Sequence, residues 1–375
     1  MYDIPVTIIV YRRLEKTKEM FERVRLIKPQ KLFIISDGPK TKEDEEKVKK
    51  VREYLDGSID WDCEVHKRYY EENRGLRYGI PTGLSWVFEN VDMSVILEDD
   101  VVCEPSFFHY AREMLLKYKD REDILLVSGF NPYMKEDLFT DDIALSYFAS
   151  IWGWATWKRA FKLYENNIPE WDRVCHKRRI NTNLNANSQR YFSVIFDDLK
   201  YHWYNSWGYQ WQYTMFRKGM GIIPRYNMIK NIGINDIDAE HGGDSQKKAA
   251  LINNAATDGS LSTVNIPDEI QYSRAYDDRI QRDLEKTGVL KFLKYRLRAK
   301  INGFSLSIIR KLEKDDYYFD NILPDRFKLN EEESRFNNGD RYRQVSAETL
   351  RFSARAYIVY KLFRKNLWLK GRENE

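Results

Sequence analysis

The first 130 residues alternate short β-branched runs with longer segments of helical spacing. Val6–Tyr11 (VTIIVY) reads as a strand, and Glu15 to Ile27 as a charged helix. Lys31–Ser36 (KLFIIS) is a second strand, closed by the turn Asp37-Gly38-Pro39. A stripe of Val48, Val51 and Leu55 predicts a helix over Lys42–Leu55. Cys63–His66 is a third strand by pattern, Ile80–Phe88 a helix and Ser94–Leu97 (SVIL) a fourth strand. Pro105–Tyr118 follows as a helix with proline near its N-terminus, and Ile124–Ser128 (ILLVS) as a fifth strand. This β-α-β-α order predicts an α/β fold, with a mainly parallel sheet covered by helices on both faces.

After about residue 145 the rhythm changes. Strand signals become rare and tryptophan becomes frequent, at Trp152, Trp154, Trp157, Trp171, Trp203, Trp207 and Trp211. Asn181–Asn187 reads as a loop, Gly219–Pro224 (GMGIIP) as a short strand and residues 233–265 as loop. From about 278 the chain turns helical and basic. The pattern therefore divides the chain into 1–130, 131–278 and 279–375, with no internal repeat.

Composition narrows the class. With 375 residues, about two domains are expected, and 42% hydrophobic residues exclude wholesale disorder. Three scattered cysteines, Cys63, Cys103 and Cys175, make neither a disulfide framework nor a metal knuckle, which points to a reducing compartment. No run approaches the roughly 18 apolar residues of a membrane span. The N-terminal MYDIPVTIIVYRR reads as a first strand rather than a secretory leader, so a cytoplasmic protein is expected. The net charge of +4 is too mild to argue for nucleic acid, and none is expected as a partner. The aromatic share of 14% suits sugar contacts and a large core equally well.

The most informative stretch is SVILEDDVVCEPSFF, residues 94–108. Three consecutive acids, Glu98, Asp99 and Asp100, end an apolar strand. In open α/β sheets ligands bind outside the carboxyl ends of strands. Clustered carboxylates resist burial unless a cation offsets them. Hard divalent cations take oxygen ligands, and a nucleotide diphosphate brings its own. The plain alternative is an acidic turn before the helix at Pro105. An acid cluster also serves phosphoryl transfer in response regulators, but there it follows the first strand and not the fourth.

At these residues the chain resembles GT-A fold glycosyltransferases of the N-acetylglucosaminyltransferase I-like group, in particular bacterial polysaccharide-type members. PVTIIVYRR, LFIISDGPK, ENRGLRYGIPTGLSWVFENVDMSVILEDD, IWGWATWKRAF and GIIPRYNMIKNIGIND carry the resemblance, over about residues 4–280. It implies a Rossmann-like, mainly parallel GT-A domain made of a nucleotide-sugar half (1–130) and an acceptor and donor-sugar half (131–278), followed by a helical basic arm. It also implies Mn²⁺ or Mg²⁺, a nucleotide-sugar donor, most simply a UDP-sugar, and a glycan or lipid-linked acceptor in cell-surface polysaccharide synthesis.

Carried onto this sequence, the resemblance makes Asp100 the metal ligand. Asp99 meets ribose or metal-bound water, and Glu98 the donor sugar. Arg13 meets uracil or phosphate, and Asp37 accepts from the base. Asn73 and Gly75 line the nucleotide loop, with Arg77 and Arg74 near phosphate. His241 is a second metal or diphosphate ligand. Trp152, Gly153, Trp154 and Trp207 wall the donor sugar or acceptor. Core packing is the plain alternative for the tryptophans, a turn aspartate for Asp37 and a solvated side chain for the arginines and His241.

One departure concerns the catalytic base, the carboxylate that takes the acceptor's proton. Related sequences carry a Trp-acid pattern where this chain reads Ser206-Trp207-Gly208-Tyr209-Gln210-Trp211. Asp197, Asp198 and Asp172 remain as substitutes, and Gln210 as a hydroxyl contact. Two other functions stay open. A nucleotidyltransferase would carry a glycine-rich loop after its first strand, where this chain has YRRLEK. A degenerate, non-catalytic transferase fold would be a binding subunit.

In the arm, Leu290, Leu293, Leu297, Ile301, Phe304 and Ile308 mark one helical face, and Phe352, Ala356, Val359, Phe363 and Leu367 another, both flanked by lysine and arginine. Such faces suit an anionic membrane surface, giving a peripheral membrane protein, or packing on the catalytic domain or a second subunit of a homo-oligomer.

Overall fold

The structure is a computed structural model and describes residues 1–177, 179–202, 205–233, 264–297 and 330–336. The chain forms two compact units, Met1–Tyr164 with Trp211–Leu284, and Glu165–Gln210 with Glu285–Glu375.

The first unit is built on an eight-stranded sheet. Its strands are β1 (Val6–Val10), β2 (Lys31–Ser36), β3 (Glu64–Tyr69), β4 (Met93–Glu98), β6 (Ile124–Ser128), β7 (Ile143–Ser146), β8 (Trp154–Trp157) and β9 (Met220–Pro224), in the order β3-β2-β1-β4-β8-β6-β9-β7. All but β8 and β7 run the same way. This is the α/β, Rossmann-like GT-A architecture, mostly parallel with one reversed strand set inside it.

The central strands are continuous apolar runs because both faces are covered: every residue of β1 and β6 is buried. Between them run α1 (Leu14–Ile27), α2 (Lys42–Ser58), α3 (Gly75–Asn90) and α4 (Pro105–Lys117). In α1 the buried residues Thr17, Met20, Phe21 and Val24 recur every three or four positions. Thr41 caps α2, accepting from the Asp44 N–H, and Glu43, Asp44 and Glu45 fill its first turn, where the helix dipole favours acids. Gly83 of α3 lets the helix approach β2 closely, since a Cβ there would lie 2.8 Å from Ile35.

The structure corrects several expectations. β3 runs to Tyr69, well past His66. Strands persist beyond residue 145: WATW is β8, placed between β4 and β6. The strands before and after residue 130 share one sheet. A separate two-stranded ribbon joins β5 (Val101–Cys103) to β10 (Ile229–Asn231).

In the second unit, α6 (Trp171–Lys177) and α7 (Ala186–Asp197) follow the short α5 (Lys158–Phe161) of the first. The asparagine-rich loop ends as expected, with Asn185 capping α7 by accepting from the Ser188 N–H at 2.9 Å. Beyond Gly233, the loop expected over 233–265 lies almost wholly outside the described residues, and so does the second stripe of the arm. Of the arm, the described parts are the end of α9 (Arg274–Asp283; α8 is Gly208–Lys218), α10 over 289–297 and α11 (Glu331–Phe336). No helix among the described residues is long and apolar enough to cross a membrane.

Candidate active site

The strand order 3-2-1-4 places a switch point between β1, whose chain continues to β2 on one side, and β4 on the other. A crevice opens at such a point, outside the carboxyl ends of the strands. Register aligns those ends: Ile9 faces Glu98 across β1 and β4, and Val10 faces Ser36 across β1 and β2. The residues that follow the three strands, Arg13, Asp37 and the pair Asp99-Asp100, are therefore brought to one rim.

Arg13 binds the acids. Its guanidinium donates to Asp99 Oδ1 and, at 3.0 Å, to Asp100 Oδ2. Asp99 is 3% exposed, and its Oδ2 is buried without a hydrogen-bond partner among the described residues. Burial raises the Asp99 pKa against the pull of Arg13. Glu98 is pushed up to about 8 by burial and then by its neighbours Asp100 and Asp99. The cluster stores more negative charge than one arginine balances, which is the electrostatic setting a cation relieves.

A second contact closes on Asp100. β10 pairs with β5, and just past it the Ile232 N–H donates to the Asp100 carbonyl at 2.8 Å. Lys16 Nζ donates to the Ile232 carbonyl at 3.0 Å. Gly233 then lies flat on the carboxylate, and a Cβ there would sit 2.7 Å from Asp100 Cγ. Neither Gly233, within GIIPRYNMIKNIGIND, nor Lys16 stands out from the sequence as a site residue. A glycine far along the chain was the only available signal. Gly233→Ala is expected to displace the Asp100 carboxylate and weaken Mn²⁺-dependent nucleotide binding about tenfold. Calorimetric titration checks this, and unaltered affinity would remove Gly233 from the site.

Asp37 corrects its sequence assignment. Its Oδ1 accepts from the N–H groups of Gly38 (2.9 Å) and Arg74 (2.7 Å). Its Oδ2 accepts from Asn73 Nδ2 (3.0 Å) and the Gly75 N–H (2.9 Å). A carboxylate offers about four lone-pair sites, and the chain's own donors fill them. Asp37 thus organises the loop that starts α3, in which Gly75 sits at φ 66°, a left-handed value that glycine tolerates. Asn73 also donates to the Gly38 carbonyl at 2.9 Å, so it belongs to the same knot.

If Asp37 read the base, Asp37→Asn would change the ranking of nucleotides. As a loop organiser, it should instead weaken UDP, CDP and GDP alike and cost about 2–3 kcal/mol of stability, because an amide nitrogen cannot accept the N–H groups left facing it. Chemical denaturation beside the three titrations separates the two outcomes.

Arg77 is a further correction. It is 2% exposed inside α3, with the Tyr78 and Tyr164 hydroxyls as its nearest ionisable neighbours, and burial lowers its pKa. Its position on the inner face of α3 removes it from any phosphate at the surface.

Among the residues assigned to the sugar wall, Trp154 is a core residue. It is fully buried in β8, opposite Ile96 and Ser128 and against the Trp211 ring at 5.9 Å, so no sugar can reach its face. Trp207, in the second unit, is also buried, at 3% exposure. Trp152 is half-buried, edge-on to Phe130. Gly153 has φ 58°, and a Cβ there would lie 2.8 Å from Ile229, so it lets β8 pass under the β5–β10 ribbon.

The base candidates all belong to the second unit. Asp197 is fully buried, accepting from Trp171 Nε1 at 2.8 Å and Arg296 at 2.5 Å, and burial pushes it up to about 6. Both bonds fall on Oδ1, and Oδ2 is buried without a hydrogen-bond partner among the described residues, so Asp197 is a buried ion pair with Arg296. Asp172 is exposed in the first turn of α6, 3.8 Å from Lys200. Asp198 is half-buried at the end of α7, and Gln210 is fully buried. His241 lies outside the described residues.

No family model matches the chain, and no curated protein matches it. Among solved structures it is similar to the mannosyltransferase PcManGT from Pyrobaculum calidifontis in complex with GDP-Man and Mn²⁺, at 14% identity and a TM-score of 0.29 over 55% of each chain. The chain thus spans about half the length of that protein. It is similar to S. aureus TarS 1-349 at 9% identity and a TM-score of 0.33, over 81% of this chain and 74% of that one. A UDP-glucose pyrophosphorylase complexed with UDP-glucose is similar at 10% identity and a TM-score of 0.26, over 43% of this chain and 79% of that one. Likenesses this slight leave the chemistry of the site to be read from its own residues.

Proposed function

We propose that the chain is a divalent-metal-dependent glycosyltransferase that moves a sugar from a nucleotide-sugar, a UDP-sugar by the sequence resemblance, to a hydroxyl of a glycan or lipid-linked acceptor. The observation that carries this reading is the acid cluster itself. Two carboxylates, Asp99 and Asp100, share one arginine beside Glu98 at the switch point of a Rossmann-like sheet, and one buried carboxylate oxygen has no hydrogen-bond partner among the described residues.

These residues fit Mn²⁺ or Mg²⁺. The donors are hard oxygens, and among the described residues no three acids, histidines or cysteines form a complete cage. Asp100 and Asp99 would hold such an ion, leaving ligand positions for phosphate and water. Such an ion, when bound, neutralises the departing diphosphate. The chain's own residues do the rest. Arg13 offers a planar fork to phosphate once the ion shares its carboxylates. The Asp37-ordered loop presents backbone beside the nucleotide. Glu98, drawn toward its neutral form, can donate to a sugar hydroxyl. Trp152 offers a flat face to the sugar.

The test is turnover of a panel of UDP-, GDP- and CDP-sugars with and without Mn²⁺. Metal-dependent release of a nucleoside diphosphate, strongest with UDP-sugars, is expected. Incorporation of pyrophosphate into a nucleoside triphosphate would make the chain a nucleotidyltransferase. Absence of both activities, with no nucleotide bound, would leave a non-catalytic fold.

A further inference from the structure

The second unit holds a cavity of about 630 Å³ between α6, α7 and α10. Among the described residues its charged lining is cationic, Arg179, Arg190 and Arg296, with no acid. Arg296 is balanced by Asp197. Arg190 spends its Nε on the Thr287 carbonyl at 2.7 Å, which fixes the side chain along the wall. Arg179 is exposed. With Arg296 paired to Asp197, the guanidiniums of Arg179 and Arg190 give the hollow its positive charge, and the planar fork of arginine suits phosphate.

The rest of the wall is mixed, with polar Thr182, Gln189 and Ser193 beside apolar side chains. Val289, Phe292 and Leu293 of α10 line one side and Leu184 another. The apolar surface continues out of the cavity, because α10 leaves Val289 58%, Leu290 83%, Leu293 53% and Leu297 63% exposed. Spacings of three and four put them on one face. Lys294 sits beside this face, also exposed. A cationic hollow opening onto an exposed apolar face suits a molecule with an anionic head and an apolar body.

We propose that this cavity is a binding site for the phosphate head of an anionic membrane lipid, with α10 lying in the acyl boundary. Charge complementarity selects the head, and the continuity of the cavity wall with the exposed α10 face selects the chain. The site stands apart from the acid cluster in the chain's organisation and does not depend on whether that cluster transfers a sugar.

The test uses the full chain and sedimentation with vesicles of phosphatidylcholine, with or without phosphatidylglycerol. Binding is expected only to the anionic vesicles and should fall with salt. Arg179→Gln with Arg190→Gln should lower the partition coefficient about tenfold or more, and Leu290→Ser should lower it as well. Lys49→Gln with Lys50→Gln, on exposed α2 of the first unit, removes the same charge and should change it little. Circular dichroism confirms that each variant is folded; if the arginine pair fails to fold, Leu290→Ser and Lys294→Gln carry the test. Equal losses from the two charge pairs, or no binding to anionic vesicles at all, would overturn the proposal. Calorimetric binding of inorganic phosphate in the cavity without vesicle binding would also overturn it, by making the ligand a free anion.

Discussion

Replacing Asp100 with alanine is expected to abolish the Mn²⁺ dependence of nucleotide binding and to cut turnover at least about a hundredfold, because metal stabilisation of a leaving diphosphate is worth several kcal/mol. Little structural cost should accompany it. The Asp100 side chain is at the rim, and its backbone carbonyl keeps the bond from Ile232. The comparison that decides is UDP affinity with Mn²⁺ against UDP affinity with a chelator, in both proteins, with thermal unfolding as a check. If the variant still gains affinity on adding Mn²⁺, Asp100 is not the ligand and the metal reading loses its centre.

Arg13→Ala should have the largest effect on stability. It leaves the carboxylates of Glu98, Asp99 and Asp100 crowded without the guanidinium that now binds two of them. Removing one partner of a buried pair costs about 3–5 kcal/mol, and the lower end applies because Arg13 is 29% exposed. The same loss frees oxygen ligands. Mn²⁺ alone, without nucleotide, should therefore raise the unfolding temperature of the variant more than that of the parent. This readout needs no turnover. A variant as stable as the parent and indifferent to Mn²⁺ would show that Arg13 does not balance the cluster.

Much of the fold of the first 130 residues is legible in the sequence alone. The runs VTIIV, KLFIIS and ILLVS are strands buried on both faces, and such strands announce themselves as unbroken apolar segments. The acids at the end of β4 were legible because a charge directly after a buried strand has few places to go. WATW was not legible as a strand: four residues of large and small apolar type fit a sugar wall as well as a sheet interior. Nor was the inward position of Arg77, because a glycine-rich helix with a central proline gives no clear periodic stripe.

The sequence by itself determined the α/β order of the first 130 residues and the three acids that follow the SVIL strand, because each of these depends on neighbours a few residues apart. Only the tertiary structure decided how the polar groups are spent. Asp37 lost its lone pairs to a loop 36 to 38 residues on, Asp100 gained Gly233 from across the chain, and Asp197 was claimed by Arg296. The physical reason is that a carboxylate's role is set by which donors reach it and how much water remains. Both are fixed by contacts between segments distant in sequence, which local periodicity does not encode.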